Sequence, residues 1–208
     1  VKTNIYVDGF NLYFRCLRGS PCKWLNIAEM CRLLLPKNSI NEIKYFTARV
    51  TARPDDPDQP TRQQTYLRAL RTIPNLSIIY GHFLTNPTTM LLQGHPADLP
   101  TSYVRVIKTE EKGSDVNLAT HLLYDGFRGN YECAAVISKD SDLLEPIRIV
   151  RKEMSLTVGL LNPGNKLSLA LVPHADFIYR IRRGVLNASQ FPDELTDANG
   201  TFRKPASW

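Results

Sequence analysis

Long hydrophobic runs are missing from this chain. No stretch approaches the roughly 18–20 uninterrupted apolar residues that a membrane-spanning helix needs. The opening VKTNIYVDGF also lacks the basic start and longer apolar stretch of a secretory signal. Cysteine is scarce: Cys16, Cys22, Cys31 and Cys133 show no C-x-x-C spacing and are too scattered for a disulfide framework, which leaves buried or idle thiols. Histidine is as rare, and His82, His95 and His174 stand isolated, with no metal-ligand spacing. These absences point to a cytosolic (cytoplasmic) chain with no membrane partner.

What is present is an ordinary globular mixture. Of 208 residues, 43% are hydrophobic and 22% charged, enough to bury one sizeable core. The formal net charge of +6 fits a phosphate-bearing partner without requiring one. No internal repeat or low-complexity tract appears.

Strand-like and helix-like runs alternate along the chain. NIYVDGF, INEIKYFTARV, LSIIYGHFL, YVRVIK, YECAAVISK and LTVGLLN read as strands; LNIAEMCRLLL, TRQQTYLRALRTI, DVNLATHLLYDGF and LLEPIRIVRKE read as helices. That alternation predicts an α/β fold with a parallel sheet. Near-continuous apolar strands such as AAVI suit positions covered by helices on both faces. RPDDPDQP and TNPTTMLLQGHPADLPTS read as loops. The pattern fades past about Gly184, so residues 1–183 are expected to form the domain and 184–208 a tail that packs on it or mediates oligomerisation.

Acidic residues recur where these strands end. Asp8 follows NIYV, Asp140 follows AAVISK, Asp142 lies two residues further on, and Asp115 opens the helix after KGS. In open α/β sheets, sites form outside the carboxyl ends of the strands. Four carboxylates gathered there repel one another unless a cation neutralises them, and oxygen ligands without a Cys or His pattern favour Mg²⁺ or Mn²⁺. With a rise of about 3.3 Å per extended residue, Asp140 and Asp142 can reach two ions or clamp one. Plainer roles compete: Asp142 also fits a helix N-cap with Glu145 as its capping-box partner, and Asp115 also fits a cap. Asn11 in DGFN is placed to orient a carboxylate or a water.

The blocks YVDGFNLY, KGSDVNLATHLLYDGF and AAVISKDSDLLEPIRIVRKE, in this order and spacing, resemble the NYN domain family of the PIN-like nuclease superfamily. The resemblance implies a Rossmann-like, PIN-type three-layer sandwich with a mostly parallel central sheet, in which Asp8 lies beside Asp140. It further implies metal-dependent hydrolysis of phosphodiesters by an endoribonuclease, with Asp8, Asp115, Asp140 and Asp142 as metal-binding and catalytic acids and Asn11 as their polar companion. The partner it implies is RNA, with a single strand preferred. A homodimer is compatible with this reading. His121 stands where many members carry a further Asp. At about 100° per residue it should not share a helical face with Asp115, and it is read as a partly buried histidine.

Substrate grip is expected from Lys112 and Lys139, which flank the acids, and from the basic runs RIVRKE and YRIRRG, in which Arg180 and Arg182 share one strand face while Arg183 points away. Tyr13 and Phe14 are candidates for stacking on exposed bases. A non-catalytic nucleic-acid or protein-binding module on the same fold is the alternative function. Topoisomerase-primase folds and glycosyltransferases that bind nucleotide sugars through Mn²⁺ also use a D-x-D at a strand end.

Overall fold

The computed structural model describes residues 1–94 and 102–208. Strand β1 (Lys2–Asp8) is buried from Thr3 onward, as expected for a central strand with helices on both faces. Asp8 caps a short helix, α1 (Gly9–Leu12), which continues as a π-helical turn over Tyr13–Leu17. Helix α2 (Ile27–Leu34), capped by the Asn26 side chain, leads to β2 (Ser39–Thr47), α3 (Gln59–Leu70) and β3 (Leu76–Tyr80). The chain then leaves the sheet for an antiparallel hairpin, β4 (His82–Leu91) and β5 (Tyr103–Lys112). It returns through α4 (Ser114–Phe127), β6 (Cys133–Ile137), α5 (Leu144–Lys152), β7 (Thr157–Asn162) and β8 (Phe177–Arg180). Helix α6 (Arg183–Ala188) and a ribbon of β9 (Glu194–Asp197) and β10 (Gly200–Arg203) follow.

Six strands form one parallel sheet in the order β3-β2-β1-β6-β7-β8. Ile5 and Val7 of β1 point into a core shared with Leu12, Met30, Leu70 and Leu186 from α1, α2, α3 and α6. Tyr6 points to the other side, where Leu118 and Leu122 of α4 meet Ile147 and Val150 of α5. The strand alternation of period two thus feeds two apolar layers, and the chain is an α/β protein with a Rossmann-like three-layer sandwich. Among the described residues no helix is long and apolar enough to cross a membrane. The strand order reverses between β1 and β6, so a crevice opens outside their carboxyl ends.

Three expectations about elements change. LSIIYGHFL is not one strand. Gly81 ends β3 by donating its N–H to Thr47 O at 2.8 Å, and a Cβ there would collide with the Glu111 carboxylate and the Lys112 carbonyl at the base of the hairpin. The stretch TNPTTML from the expected loop is strand, pairing with Tyr103 to Thr109. Pro87 is tolerated because a two-stranded ribbon leaves outward-facing N–H positions that need no partner. Residues 95–101 of that expected loop, His95 included, lie outside the described residues. Finally, the strand expected through YRIRRG stops at Arg180, and α6 begins at Arg183.

The C-terminal residues cover the α2 and α3 side. The fully buried Trp24 ring meets Phe191, Phe202 and Trp208 at centroid distances of 5.8, 6.4 and 6.4 Å, and its indole N–H donates to Pro192 O at 2.7 Å. Arg68 grips Asp197 with two 2.7 Å hydrogen bonds and lies 4.1 Å from the Phe202 ring centre.

Candidate functional site

Asp8 reaches the crevice because β1 ends on it and the chain turns at once into α1. Its Oδ1 accepts the Asn11 N–H at 2.8 Å, and its Oδ2 accepts the Ser138 hydroxyl at 2.9 Å. The Ser138 oxygen in turn accepts the Asp140 N–H at 3.0 Å, and Asp140 Oδ1 accepts the Asp142 N–H at 3.0 Å. A continuous polar chain therefore ties the end of β1 to the end of β6. Asp140 is the N-cap of the short turn Ser141–Leu143 that leads into α5. Asp142 is not the cap, and Glu145 is engaged by Arg148 at 2.7 Å instead of closing a capping box. Asp115 is not a cap either: it sits in the first turn of α4, behind Gly113 at φ 95° and Ser114, whose N–H and hydroxyl both donate to Glu111.

Burial and crowding shape the protonation of Asp8 and Asp115. Burial pushes the Asp8 carboxyl above its usual range, against the opposing hydrogen bonds from Asn11 and Ser138. Asp115 is pushed up to about 6, first by burial and then by the charges of Asp8, Asp140, Glu111 and Asp142. The four expected acids thus share one edge of the sheet, with Glu111 joining them. The Asn11 side-chain oxygen is buried and has no protein hydrogen-bond partner, while its backbone N–H serves Asp8.

A cleft of about 830 Å³ opens beside this crevice, lined by Gly9 next to Asp8 and by Glu111 next to Asp115. Its walls are aromatic: Phe10, Tyr13, Phe14, Tyr45, Phe83 and Trp208. Phe10 meets Phe83 edge-on at 5.7 Å, which seats the hairpin against α1. Gly9 is needed here, since a Cβ would lie 2.6 Å from the Tyr45 ring and 2.8 Å from the Phe46 carbonyl. Burial, reinforced by the charge of Asp8, raises the Tyr45 phenol and keeps it neutral. Lys23, Arg53 and Arg62 add positive charge, of which Arg62 is taken by Asp56 at 2.5 Å.

The expected cations divide: Lys139 and Arg180 both approach the loop Gly164–Asn165, whereas Lys112 lies on the hairpin. Lys112 is exposed on the hairpin and lies 3.7 Å from Glu110. Lys139 runs over Gly164, Arg180 hydrogen-bonds Asn165, and Arg182 is exposed between β8 and α6. Arg148 and Arg151 are spent on Glu145 and Asp176. His121 stands with Lys44, its Nδ1 3.5 Å from the ammonium, while Lys44 pairs with buried Asp125 at 2.5 Å; burial and the lysine charge depress the imidazole. Sequence reasoning missed Ser138, Tyr45, Phe83 and Glu111. Of these only Ser138 carried a local signal, as the hydroxyl between an apolar strand and the D-x-D.

No family model matches this chain. The protein is similar to 6-hydroxy-3-succinoylpyridine 3-monooxygenase HspA of Pseudomonas putida, with 28% identity over 238 aligned positions that cover 100% of this chain and 75% of that protein. It also resembles the crystal structure of a Vibrio parahaemolyticus protein of unknown function, with a TM-score of 0.57 at 15% identity over 88% of this chain and 93% of the other. That second likeness concerns the fold alone.

The likeness to a monooxygenase overturns the expectation of a metal-dependent endoribonuclease. The nuclease and hydrolase assignments are corrected with it. The expected Mg²⁺ or Mn²⁺ is corrected too. Among the described residues no group of three or more His, Cys, Asp or Glu side chains is placed to hold a metal ion. The physical reason lies in the polar chain: both Asp8 oxygens and one Asp140 oxygen already accept protein hydrogen bonds.

Proposed function

We propose that this chain is an oxidoreductase of the monooxygenase class that acts on a small hydroxylated heteroaromatic ring held in the aromatic cleft. The observation that carries the reading is the full-length similarity to a protein named for monooxygenation of 6-hydroxy-3-succinoylpyridine. The cleft supports it. Its volume of about 830 Å³ falls within the range of small-molecule sites, and its concave, aromatic lining with a few polar groups is the usual form of such sites. Phe10, Tyr45 and Phe83 offer ring faces and edges to a planar substrate. Lys23 and Arg53 supply the charge that holds an anionic substituent.

Monooxygenation places one atom of O₂ in the substrate and reduces the other to water with two electrons from an external donor. The side chains hold the ring, exclude water and manage the proton. Asp115, pushed up to about 6, is mostly ionised at neutral pH yet basic enough to take up a proton at the edge of the cleft, where Glu111, whose charge acts on it, forms part of the lining. The Asp8, Ser138 and Asp140 chain holds the adjoining edge rigid.

The test is O₂ uptake by the purified full chain with NADH or NADPH as donor and a panel of hydroxypyridines that includes 6-hydroxy-3-succinoylpyridine. Uptake that depends on the ring compound and matches donor oxidation is expected, with Phe10→Ala raising KM. If no member of the panel stimulates uptake and none shows binding by ligand-observed NMR, the reading fails.

A further inference from the structure

A second hollow, of about 250 Å³, lies at the carboxyl ends of β7 and β8. The π-helical turn Tyr13–Leu17 separates it from the aromatic cleft: Tyr13, Phe14 and Leu17 face the cleft, while Arg15 and Cys16 face the hollow. Its far wall is the loop Pro163, Gly164 and Asn165, and its floor includes Ile181 and Arg183.

The charge around it is one-sided. Arg15 and Arg183 line the hollow, and no carboxylate does. Arg180 stands close enough to oppose the burial that pushes the Cys16 thiol up, and it binds Asn165 in the wall. Lys139 passes over Gly164, where an added Cβ would lie 3.3 Å from the lysine Cδ. Among the described residues, none of these four cations has a carboxylate within 4.0 Å. Four cations without a carboxylate partner border one hollow, a concentration of positive charge that attracts an anion.

The wall is built to stay in place. The Asn162 amide donates to Gly164 O at 2.6 Å, Arg180 fixes Asn165, and the Cys16 thiol donates to Pro163 O. The location is also the edge at which doubly wound sheets receive ligands.

We propose that this hollow is an anion site that takes the diphosphate group of a small nucleotide-type ligand. Guanidinium forks match phosphate oxygens in pairs, and a diphosphate carries enough charge to answer several cations, where a single carboxylate would leave most of them unpaired. The volume is below that of whole-ligand pockets, so the hollow fits the phosphate end of a molecule whose remainder extends outside. The site stands independently of the oxidoreductase reading, and its test uses no turnover.

Calorimetric titration of inorganic pyrophosphate into the full chain reads it directly. One site per chain is expected, with orthophosphate weaker and acetate without measurable heat. Arg15→Ala and Arg183→Ala should each weaken pyrophosphate about tenfold or more, and the double variant should abolish it. Both side chains are exposed, so an unchanged melting temperature verifies that the fold is intact. Pyrophosphate binding that is absent in the wild type, or equal in wild type and the double variant, overturns the proposal. So does a single-stranded RNA oligonucleotide whose binding needs both arginines but is not displaced by pyrophosphate.

Discussion

Asp115 bears the direct consequence of placing several carboxylates at one sheet edge. Its carboxyl titrates at about 6 in the folded chain against an ordinary 3.8. Between those values the folded state binds more protons than the unfolded one, so this residue's contribution to stability is complete below about 3.8 and is lost as pH rises through about 6. Asp8 acts in the same direction. Asp115→Asn is therefore expected to melt higher than wild type at pH 8, with the difference closing as the pH falls toward 4; thermal melts across that range check it. A variant that melts lower than wild type at pH 8 would contradict the crowding. Asp8, Asp115 and Asp140 were legible in the sequence because an acid at the end of an apolar strand or the start of a helix lands at the carboxyl edge of a parallel sheet. How the crowding is relieved was not legible. A hydroxyl such as Ser138 reaching across to Asp8 is a three-dimensional fact about two strands 130 residues apart.

The elements followed largely from periodicity. Buried β1 and β6 and the amphipathic α4 and α5 were visible as apolar runs, and their alternation led to the parallel sheet. The hairpin was not visible as such. LSIIYGHFL reads as one apolar strand, and the bend at Gly81 depends on the base of β5 passing beside it, a contact that no local pattern encodes. The C-terminal segment was expected as a tail that packs on the domain or mediates oligomerisation; its widely spaced Phe191, Phe202 and Trp208 converge on Trp24, a meeting point that local pattern does not name. Phe202→Ala removes a ring that packs on both Trp24 and Arg68 and should cost about 3–5 kcal/mol in a denaturant titration. A loss well under 1 kcal/mol would mean that residues beyond Ala188 are dispensable to the core.

On the scale of the whole molecule, one sheet edge presents three neighbouring features: the aromatic cleft, the acidic crevice and the cationic hollow. The crevice dominated the sequence because its residues are polar, sharply placed and clustered in short motifs. Of the cleft, the sequence marked only Tyr13 and Phe14, because Phe10, Tyr45, Phe83 and Trp208 come from four distant segments, and each alone reads as core or surface packing. Carboxylates at a switch point suit several chemistries, and here the similarity to a monooxygenase, with the aromatic pocket beside those acids, favours oxidation of a ring over hydrolysis of a phosphodiester. The most direct measurement is turnover of a hydroxypyridine under ¹⁸O₂ with mass spectrometry of the product. One ¹⁸O atom per oxidised ring is the predicted result; a product that takes its new oxygen from water, or an unchanged ring beside RNA cut in an Asp8-dependent manner, would contradict the account.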